Sequence, residues 1–308
     1  MSSTPELVVV GSVAVDWVIT PRAERRDSVG GSATYFSIAS SHFARTGLVG
    51  VVGKDFPEAA VAELKKSEVD LSGLETVPDG LTFRWKGRYH ENMNDRDTLE
   101  THLNCFESFD PKLPESFRNA PNLFLANIQP SLQMAVLEQM ETRPRLVGLD
   151  TMNLWIDIAS DDLKRVLGKV DVLIINDQEA RQLTGCDNLA KASREIRALG
   201  PKILVIKRGE YGALLFGPED DALFSAPGLL LDDVADPTGA GDCFAGGFMG
   251  HLASVGSLDA AELRRAVIHG SVMASRCCEG FSYDALLGMS AEARSTRYAK
   301  FVELGRVD

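Results

Sequence analysis

The chain of 308 residues is poor in basic side chains, with 32 Lys and Arg against 44 Asp and Glu. The formal net charge is −12 and the pI is near 5.0. Proteins that bind nucleic acid usually carry a basic face, so this balance argues against DNA or RNA as a partner. No apolar run approaches a transmembrane helix, and the start MSSTPELVVVGSV lacks the basic and long apolar segments of a signal peptide. We expect a cytoplasmic protein with no membrane partner.

Cysteine is also scarce and shows no pairing pattern. The five cysteines are Cys105, Cys186, Cys243, Cys277 and Cys278. Their number is odd and no C-x-x-C spacing occurs, so the sequence predicts neither a disulfide framework nor a zinc site built from cysteines. Reduced thiols are therefore expected. The 44% hydrophobic and 25% charged content is typical of a globular protein.

Short runs rich in Val and Ile alternate with segments of helical character along most of the chain. Apolar strands such as VLII and ILVI suit a sheet that is covered on both faces. This alternation predicts an α/β fold with a parallel sheet and one domain over residues 1–308. The predicted strands include 7–20, 48–55, 122–128, 145–151, 171–176 and 202–209. The predicted helical segments include 32–46, 57–69, 131–142, 160–170, 177–185 and 188–200.

Residues 80–105 interrupt this rhythm. Within them TFRWKGRYH alternates apolar and polar side chains, as a half-exposed antiparallel strand does. Together with residues 13–22 this segment could form a small second sheet, and the alternative is a surface hairpin without a role. An exposed edge of such a sheet could pair with a second subunit, which predicts a homodimer.

The run DPTGAGDCFAGGFMG, residues 236–250, carries the strongest functional signal. Gly239 and Gly241 allow a tight turn and a close approach to a ligand. The residues after them, 243–252, can form a helix, whose N-terminus offers free N–H groups to a phosphate. Asp242 at the edge of that site could take a proton from an attacking hydroxyl. The alternative for a glycine pair alone is a plain junction between a loop and a helix.

This run resembles the C-terminal signature of the PfkB (ribokinase-like) carbohydrate kinase family, written D-T-x-G-A-G-D-x-F. The resemblance extends from about Gly11 to Gly280. It implies a ribokinase-like three-layer α/β/α fold with a mainly parallel central sheet and a small β-sheet lid, here segments 13–22 and 80–105. It further implies phosphoryl transfer from ATP, with Mg²⁺, to a hydroxyl of a small sugar or polyol. Asp242 would be the general base, and the anion hole would consist of Gly239, Ala240 and Gly241.

On the acceptor side, Gly30 and Gly31 in SVGGSATYF resemble the family motif that lines the sugar pocket. Ser32 and Tyr35 stand where ribokinases typically have lysine and asparagine, which argues against ribose as the acceptor. Asp16 matches the family's early aspartate, which accepts hydrogen bonds from substrate hydroxyls. A carboxylate can accept from two vicinal hydroxyls, although an aspartate that only caps a turn is common.

On the nucleotide side, Asn176 and Glu179 match the family's N-x-x-E motif at the end of a strand. The resemblance implies that Glu179 arranges Mg²⁺ through water. These two residues could equally cap a helix, and the two roles are compatible. Lys207 and Gly209 in VIKRGEYG resemble the strand and turn that approach the nucleotide.

The resemblance also concerns the adenine and a monovalent cation. His269 and Gly270 lie on the helix that flanks adenine in the family, although a lone histidine there is more often structural. Asp236, Thr238 and Gly280 overlap the site that binds a monovalent cation in some members, which would make K⁺ a further cofactor. The family supplies one further contact to the cation shortly after this glycine, and two residues are candidates for it here: Ser282 and Asp284.

Three functions remain open from the sequence. The first is a kinase for a small-molecule sugar or polyol. The second is a nucleoside kinase, for which Tyr35 or Phe36 could stack on a base. The third is a regulator that binds nucleotide or sugar without catalysis, and the intact Asp242 and N-x-x-E motif argue against it.

Overall fold

The computed structural model describes residues 4–219 and 223–306, which form one large and one small sheet with helices around the large one. The central sheet contains nine strands: β1 Leu7–Val10, β4 Thr46–Gly53, β5 Asp70–Val77, β8 Asn122–Leu125, β9 Leu146–Leu149, β10 Val172–Asn176, β11 Ile203–Lys207, β12 Ala213–Phe216 and β13 Leu223–Ala226. The small sheet, called the lid below, contains four: β2 Ala14–Ile19, β3 Glu24–Gly30, β6 Phe83–Tyr89 and β7 Arg96–His102. The α-helices are α1 Ser32–Ser41, α2 Glu58–Lys66, α3 Pro130–Glu138, α4 Asn153–Ile158, α5 Ser160–Leu167, α6 Asp177–Thr184, α7 Leu189–Ala198, α8 Ala240–Val255, α9 Ala260–Cys277, α10 Asp284–Leu287 and α11 Ala291–Leu304.

The central sheet is parallel except at one end. Its strand order is β13-β12-β11-β10-β9-β8-β1-β4-β5, and only β12 runs antiparallel to its neighbours, β11 and β13. The chain leaves β1 toward β4 and β5, then returns to add β8 on the other side of β1. Open α/β sheets bind ligands beyond the carboxyl ends of their strands near such a switch in direction.

Helices cover both faces of this sheet, which explains the continuous apolar strands. In β1, Leu7 and Val9 face one core together with α1, α2, α8, α9 and α11. Val8 and Val10 face the other core, which includes residues of α3, α5, α6 and α7. The inner strands such as β1 and β8 therefore have two buried faces, as the runs of Val and Ile predict, whereas the edge strands β5 and β13 are largely exposed or half-buried. Within the described residues, no helix is long and apolar enough to cross a membrane.

The lid is a mixed sheet with the order β3-β2-β6-β7. The segment around Phe83–Tyr89 is a strand, as predicted, and pairs antiparallel with β7. Its pairing with β2 is parallel, because both strands leave the central sheet in the same direction. The predicted strand 7–20 is in fact two strands in two different sheets, since Gly11–Val13 redirects the chain from β1 into β2. The lid strand β3, which ends on Gly30, was not predicted.

Candidate active site

The segment after β13 ends in a tight turn at Thr238 and Gly239, and this turn with the first residues of α8, residues 238–242, is called the anion loop below. Gly239 has φ 76° and caps α8, which begins at Ala240. A Cβ on Gly239 would lie 2.3 Å from Cγ of Tyr35, so both the backbone conformation and the packing require glycine. The first N–H groups of α8 have no partner within the helix and can bind an anion.

Charged side chains converge on this loop from three neighbouring strands of the central sheet. Asp150 follows β9, Glu179 lies in the first turn of α6 after β10, and Lys207 ends β11. The Nζ atom of Lys207 lies 3.8 Å from Oδ2 of Asp150. A Cβ on Gly241 would lie 2.9 Å from the same Nζ, so the absence of a side chain at Gly241 lets the lysine reach the anion loop.

The electrostatics of this cluster depend on burial. Burial and the nearby charge of Asp150 raise the pKa of Asp242 and of Glu179 above their ordinary values. Burial also raises the pKa of Asp150, against the effect of Lys207. The pKa of Lys207 is raised, because the attraction of these carboxylates exceeds the effect of its burial. Three carboxyl groups around one ammonium favour an additional cation when all of them ionise.

The donor set fits Mg²⁺ bound largely through water. All candidate ligands are oxygens, which is what Mg²⁺ prefers, and Mg²⁺ usually keeps several waters. Across residues 4–219 and 223–306, no three His, Cys, Asp or Glu side chains are close enough to hold a metal by themselves. A metal here would therefore depend on the phosphates of a nucleotide as well as on carboxylates such as Glu179 and Asp150.

Asn176 and Glu179 form a reciprocal helix cap. The Asn176 side chain accepts from the backbone N–H of Glu179, and Oε2 of Glu179 accepts from the backbone N–H of Asn176, both at 2.8 Å. The capping role considered from the sequence is thus present. It uses one carboxylate oxygen of Glu179, so the metal role remains a compatible prediction.

Asp16 lies on the lid, facing the anion loop, and is only 4% exposed. A Cβ on Gly30 would lie 1.9 Å from Oδ2 of Asp16, so the glycine makes room for this carboxyl group. Burial, with the charges of Asp236 and Asp242, raises the pKa of Asp16 to about 8. Hydroxyl donors of a bound acceptor would stabilise its ionised form.

Gly31 and Ser32 fix the start of α1. Gly31 has φ 94°, and a Cβ there would lie 2.4 Å from the carbonyl oxygen of Ser12. The backbone N–H of Ser12 donates to Oγ of Ser32 at 3.2 Å, and the N–H of Ser32 donates to Oγ of Ser12 at 3.0 Å. The Ser32 hydroxyl is therefore bound to Ser12, a residue that the sequence analysis did not identify.

Tyr35 and Phe36 are both core residues. Tyr35 is 1% exposed, and its ring lies beneath Gly239 with its buried hydroxyl unpartnered. Phe36 is fully buried and stacks on Phe124 with ring centroids 4.4 Å apart. The suggestion that one of these two rings stacks on a base does not fit this structure, because neither ring is accessible.

The lid lies closed over the site. The hydroxyl of Tyr89 in β6 accepts from Oγ1 of Thr238 in the anion loop at 3.1 Å. Asn94, between β6 and β7, donates to Oε1 of Glu210 at 3.4 Å, beside the predicted Gly209 turn. The charge of Arg96, at the start of β7, partly offsets the rise in the pKa values of Asp242 and Glu179.

Asp236 supports the base of the anion loop. Its buried carboxylate accepts from the backbone N–H of Thr238 at 2.8 Å and from that of Ser282 at 3.4 Å. Of the two competing residues, Ser282 therefore lies beside Asp236, whereas Asp284 pairs with Arg25 of the lid. Gly280 belongs to the turn just before Ser282, with its N–H bound to Cys277. Potassium binding remains a prediction.

His269 and Gly270 lie where α8 and α9 cross. The His269 ring is 4.5 Å from those of His251 and Tyr298 and 5.1 Å from that of Phe43. Burial, with nearby positive charge, lowers its pKa to about 3, so it is neutral. A Cβ on Gly270 would lie 2.8 Å from the carbonyl oxygen of Phe244, so this glycine permits helix contact. These contacts give both residues a structural role, and their contact with adenine remains a prediction.

A comparison with protein families decides the assignment. The model of the pfkB family of carbohydrate kinases matches residues 4–283. The chain belongs to this family. The kinase activity class and the ribokinase-like fold expected from the sequence are thereby confirmed.

Similar proteins include kinases for several acceptors. A cytidine kinase from Thermococcus kodakarensis is 30% identical over 248 residues, covering 79% of this chain and 87% of that protein. A nucleoside kinase from Methanothermobacter thermautotrophicus is 25% identical, covering 81% and 83%. The ribokinase structure from Giardia lamblia has a TM-score of 0.81 at 19% identity, covering 97% of this chain and all of that one.

Proposed function

We propose that this PfkB-family protein transfers a phosphoryl group from ATP to a hydroxyl of a small sugar or polyol. The observation that carries the proposal is the arrangement around Asp242. Its carboxyl group lies at the anion loop, close enough to Asp150 and Lys207 for their charges to act on it. Its charge also raises the pKa of Asp16 on the lid, so it acts on both halves of the site.

In the proposed reaction, Asp242 accepts the proton of the attacking hydroxyl. The acceptor is held by the Asp16 carboxylate, which can bind two vicinal hydroxyls. The N–H groups of Gly239 and Gly241 would stabilise negative charge on the transferring phosphoryl group, and that of Ala240, which donates to the carbonyl oxygen of Pro237 at 3.2 Å, would have to turn to it. Closure of the lid through Tyr89 and Thr238 excludes water, which limits ATP hydrolysis.

The residues that would hold the nucleotide and Mg²⁺ lie at the carboxyl ends of β9, β10 and β11. Lys207 is placed to contact a phosphate, and Glu179 with Asp150 would hold Mg²⁺ through water. Bound Mg²⁺ neutralises charge on the phosphates. Gly209 has no side chain and so gives room on the nucleotide side, and its φ of 55° is a conformation that favours glycine.

A nucleoside kinase is the second candidate. It is favoured by the similarity to the cytidine kinase and to the nucleoside kinase from Methanothermobacter thermautotrophicus, each of which extends over about four fifths of the chain. A structure of Burkholderia thailandensis nucleoside kinase with inosine also shares the fold, with a TM-score of 0.75 at 19% identity.

Release of ADP from ATP and Mg²⁺ with a panel of sugars, inositols and nucleosides tests the proposal. We expect acceptor-dependent ADP release, and phosphorylated acceptor in equal amount. Asp242→Asn serves as the inactive control. Nucleotide binding without ADP release for any acceptor would contradict the proposal and favour the regulator.

We also propose a homodimer through the lid. All seven residues of β7 are exposed, and β7 is an edge strand of the lid. An exposed edge offers unpaired N–H and C=O groups to a second copy. Light scattering of the purified protein should give about twice the mass of one chain, and the monomer mass would contradict this.

A further inference from the structure

We propose that Trp85 is the platform on which the planar base of a nucleoside acceptor lies. The inference rests on the proposed kinase function and narrows the acceptor to a nucleoside, a pentose joined to an aromatic heterocycle. The ring belongs to β6, in the part of the chain that breaks the strand and helix alternation.

The two faces of the lid are distinguished by their contacts. Lys86 Nζ lies 3.7 Å from the ring centroid of Trp17, so these two side chains share one face, called the outer face. Successive residues of a strand point to opposite faces, which places Trp85 on the other side. Tyr89, four residues later on that side, reaches Thr238 in the anion loop. Trp85 therefore lies on the inner face, which looks onto the site.

The indole is held along the sheet. A Cβ on Gly87 would lie 2.0 Å from Cη2 of Trp85, so the ring occupies the place of the next inner-face side chain. Its Nε1 donates to Oγ1 of Thr98 in β7 at 3.2 Å, which fixes the ring across two strands. The ring is partly exposed. The guanidinium carbon of Arg96 lies 5.8 Å from the centroid of this ring, so a base that stacks on the indole lies against Arg96 or displaces it.

Asp16 and Trp85 are direct neighbours in the pairing of β2 with β6. Paired residues of adjacent strands lie about 5 Å apart, and both side chains are on the inner face. In a nucleoside whose vicinal hydroxyls bind Asp16, the base lies on the far side of the pentose ring. Trp85, the neighbour of Asp16, is in reach of a base at that distance. Every base has an aromatic face, so an indole at this distance suits purines and pyrimidines alike.

Other aromatic side chains near the site are already engaged. Tyr35 and Phe36 are buried, and Phe83 stacks on Phe106 with centroids 5.2 Å apart. Tyr89 is 5% exposed and bound to Thr238. Trp85 thus offers the base an aromatic surface that these four residues do not.

Acceptor kinetics test this assignment with a matched control. Trp85→Ala should raise the KM for nucleosides roughly tenfold or more, the range for loss of one stacked base. The KM for ATP, and that for a free pentose, should change less than about twofold, a small effect on this scale. Trp17→Ala removes the same ring from the outer face and should leave all constants near wild type.

Two further variants separate ring position from folding. Trp85→Phe keeps a smaller stacking surface and should restore most of the nucleoside affinity. Gly87→Val keeps the indole but displaces it, and should raise the nucleoside KM as Trp85→Ala does. Equal nucleoside KM values for wild type and Trp85→Ala would overturn the assignment, as would equal effects on nucleoside and free pentose.

Binding without turnover distinguishes this inference from the proposed function. The chain has three tryptophans, so Trp17→Phe with Trp155→Phe leaves Trp85 as the sole indole reporter. We expect nucleosides to quench its fluorescence and free pentose to leave it unchanged. Quenching without phosphorylation of any acceptor would support Trp85 and contradict the kinase proposal. Phosphorylation of sugars without quenching by nucleosides would support the kinase proposal and contradict Trp85.

Discussion

The carboxyl edge of the central sheet and the inner face of the lid build the two halves of the site in different ways. At the sheet edge, each strand delivers one charged side chain, so Asp150, Glu179 and Lys207 meet because their strands are neighbours. On the lid, Asp16, Trp85 and Tyr89 lie on one face because alternate residues of paired strands point to the same side. In the proposed function, the sheet edge serves the phosphates and the lid holds the acceptor.

This difference predicts that changes at the sheet edge affect turnover and that changes on the lid affect the acceptor. Asp242→Asn should have the largest effect. We expect kcat to fall by about 10²–10⁴, the usual range for loss of a general base, because the amide cannot take the proton. Steady-state assays measure the loss, and unchanged ATP binding by calorimetry controls for folding. Near-normal turnover would remove Asp242 from this role.

The pH dependence of kcat/KM tests the same role of Asp242 as the base. The pKa of Asp242 is raised by burial and by Asp150. A base works only when ionised, so kcat/KM should fall as the pH drops through this raised pKa, well above the 3.8 of an ordinary aspartate. A profile that stays flat down to about pH 4 would contradict the assignment.

Arg96 belongs to the lid, but its positive charge lowers the pKa values of Asp242 and Glu179 at the sheet edge. Arg96→Met should lower kcat roughly tenfold, because a positive charge near the transferring phosphoryl group is lost. Arg88→Met is the matched control, as Arg88 lies on the outer face of the adjacent strand. Similar kinetic constants for the two variants would place Arg96 outside the reaction.

Asp16 gives the smallest expected effect, on stability. Its pKa is raised from 3.8 to about 8 by folding. The contribution of Asp16 to the free energy of unfolding is therefore fully present below pH 3.8 and is lost as the pH rises through about 8. Asp16→Asn removes this loss, so its melting temperature relative to wild type should increase with pH. We expect a rise of roughly 2 °C or more near pH 8. Asp79→Asn, at an exposed site, should show no such trend.

Much of the sheet edge was predictable, because its residues lie in motifs contiguous in sequence. Asp242 and the glycines of the anion loop stand in one run, and N-x-x-E marks Glu179. Asp150 was missed, although the strand that it follows was predicted. A single aspartate after a strand carries no motif, and its proximity to Lys207 depends on the strand order.

The lid was predictable only in outline. Its position at 13–22 and 80–105 follows from the break in alternation, but Trp85 and Arg96 depend on register. The parallel pairing of β2 with β6 places Asp16 beside Trp85 over a separation of 69 positions, which no local pattern records. The surroundings of His269 were not predictable either, since its motif position said nothing of the aromatic rings beside it.

The most direct test of the separate roles of the sheet edge and the lid is a set of steady-state measurements. The ATP and acceptor concentrations are both varied for wild type, Asp242→Asn and Asp16→Ala. The account predicts that Asp242→Asn loses kcat, whereas Asp16→Ala raises the acceptor KM far more than the ATP KM. Near-wild-type kcat for Asp242→Asn, or equal effects of Asp16→Ala on the two KM values, would contradict it.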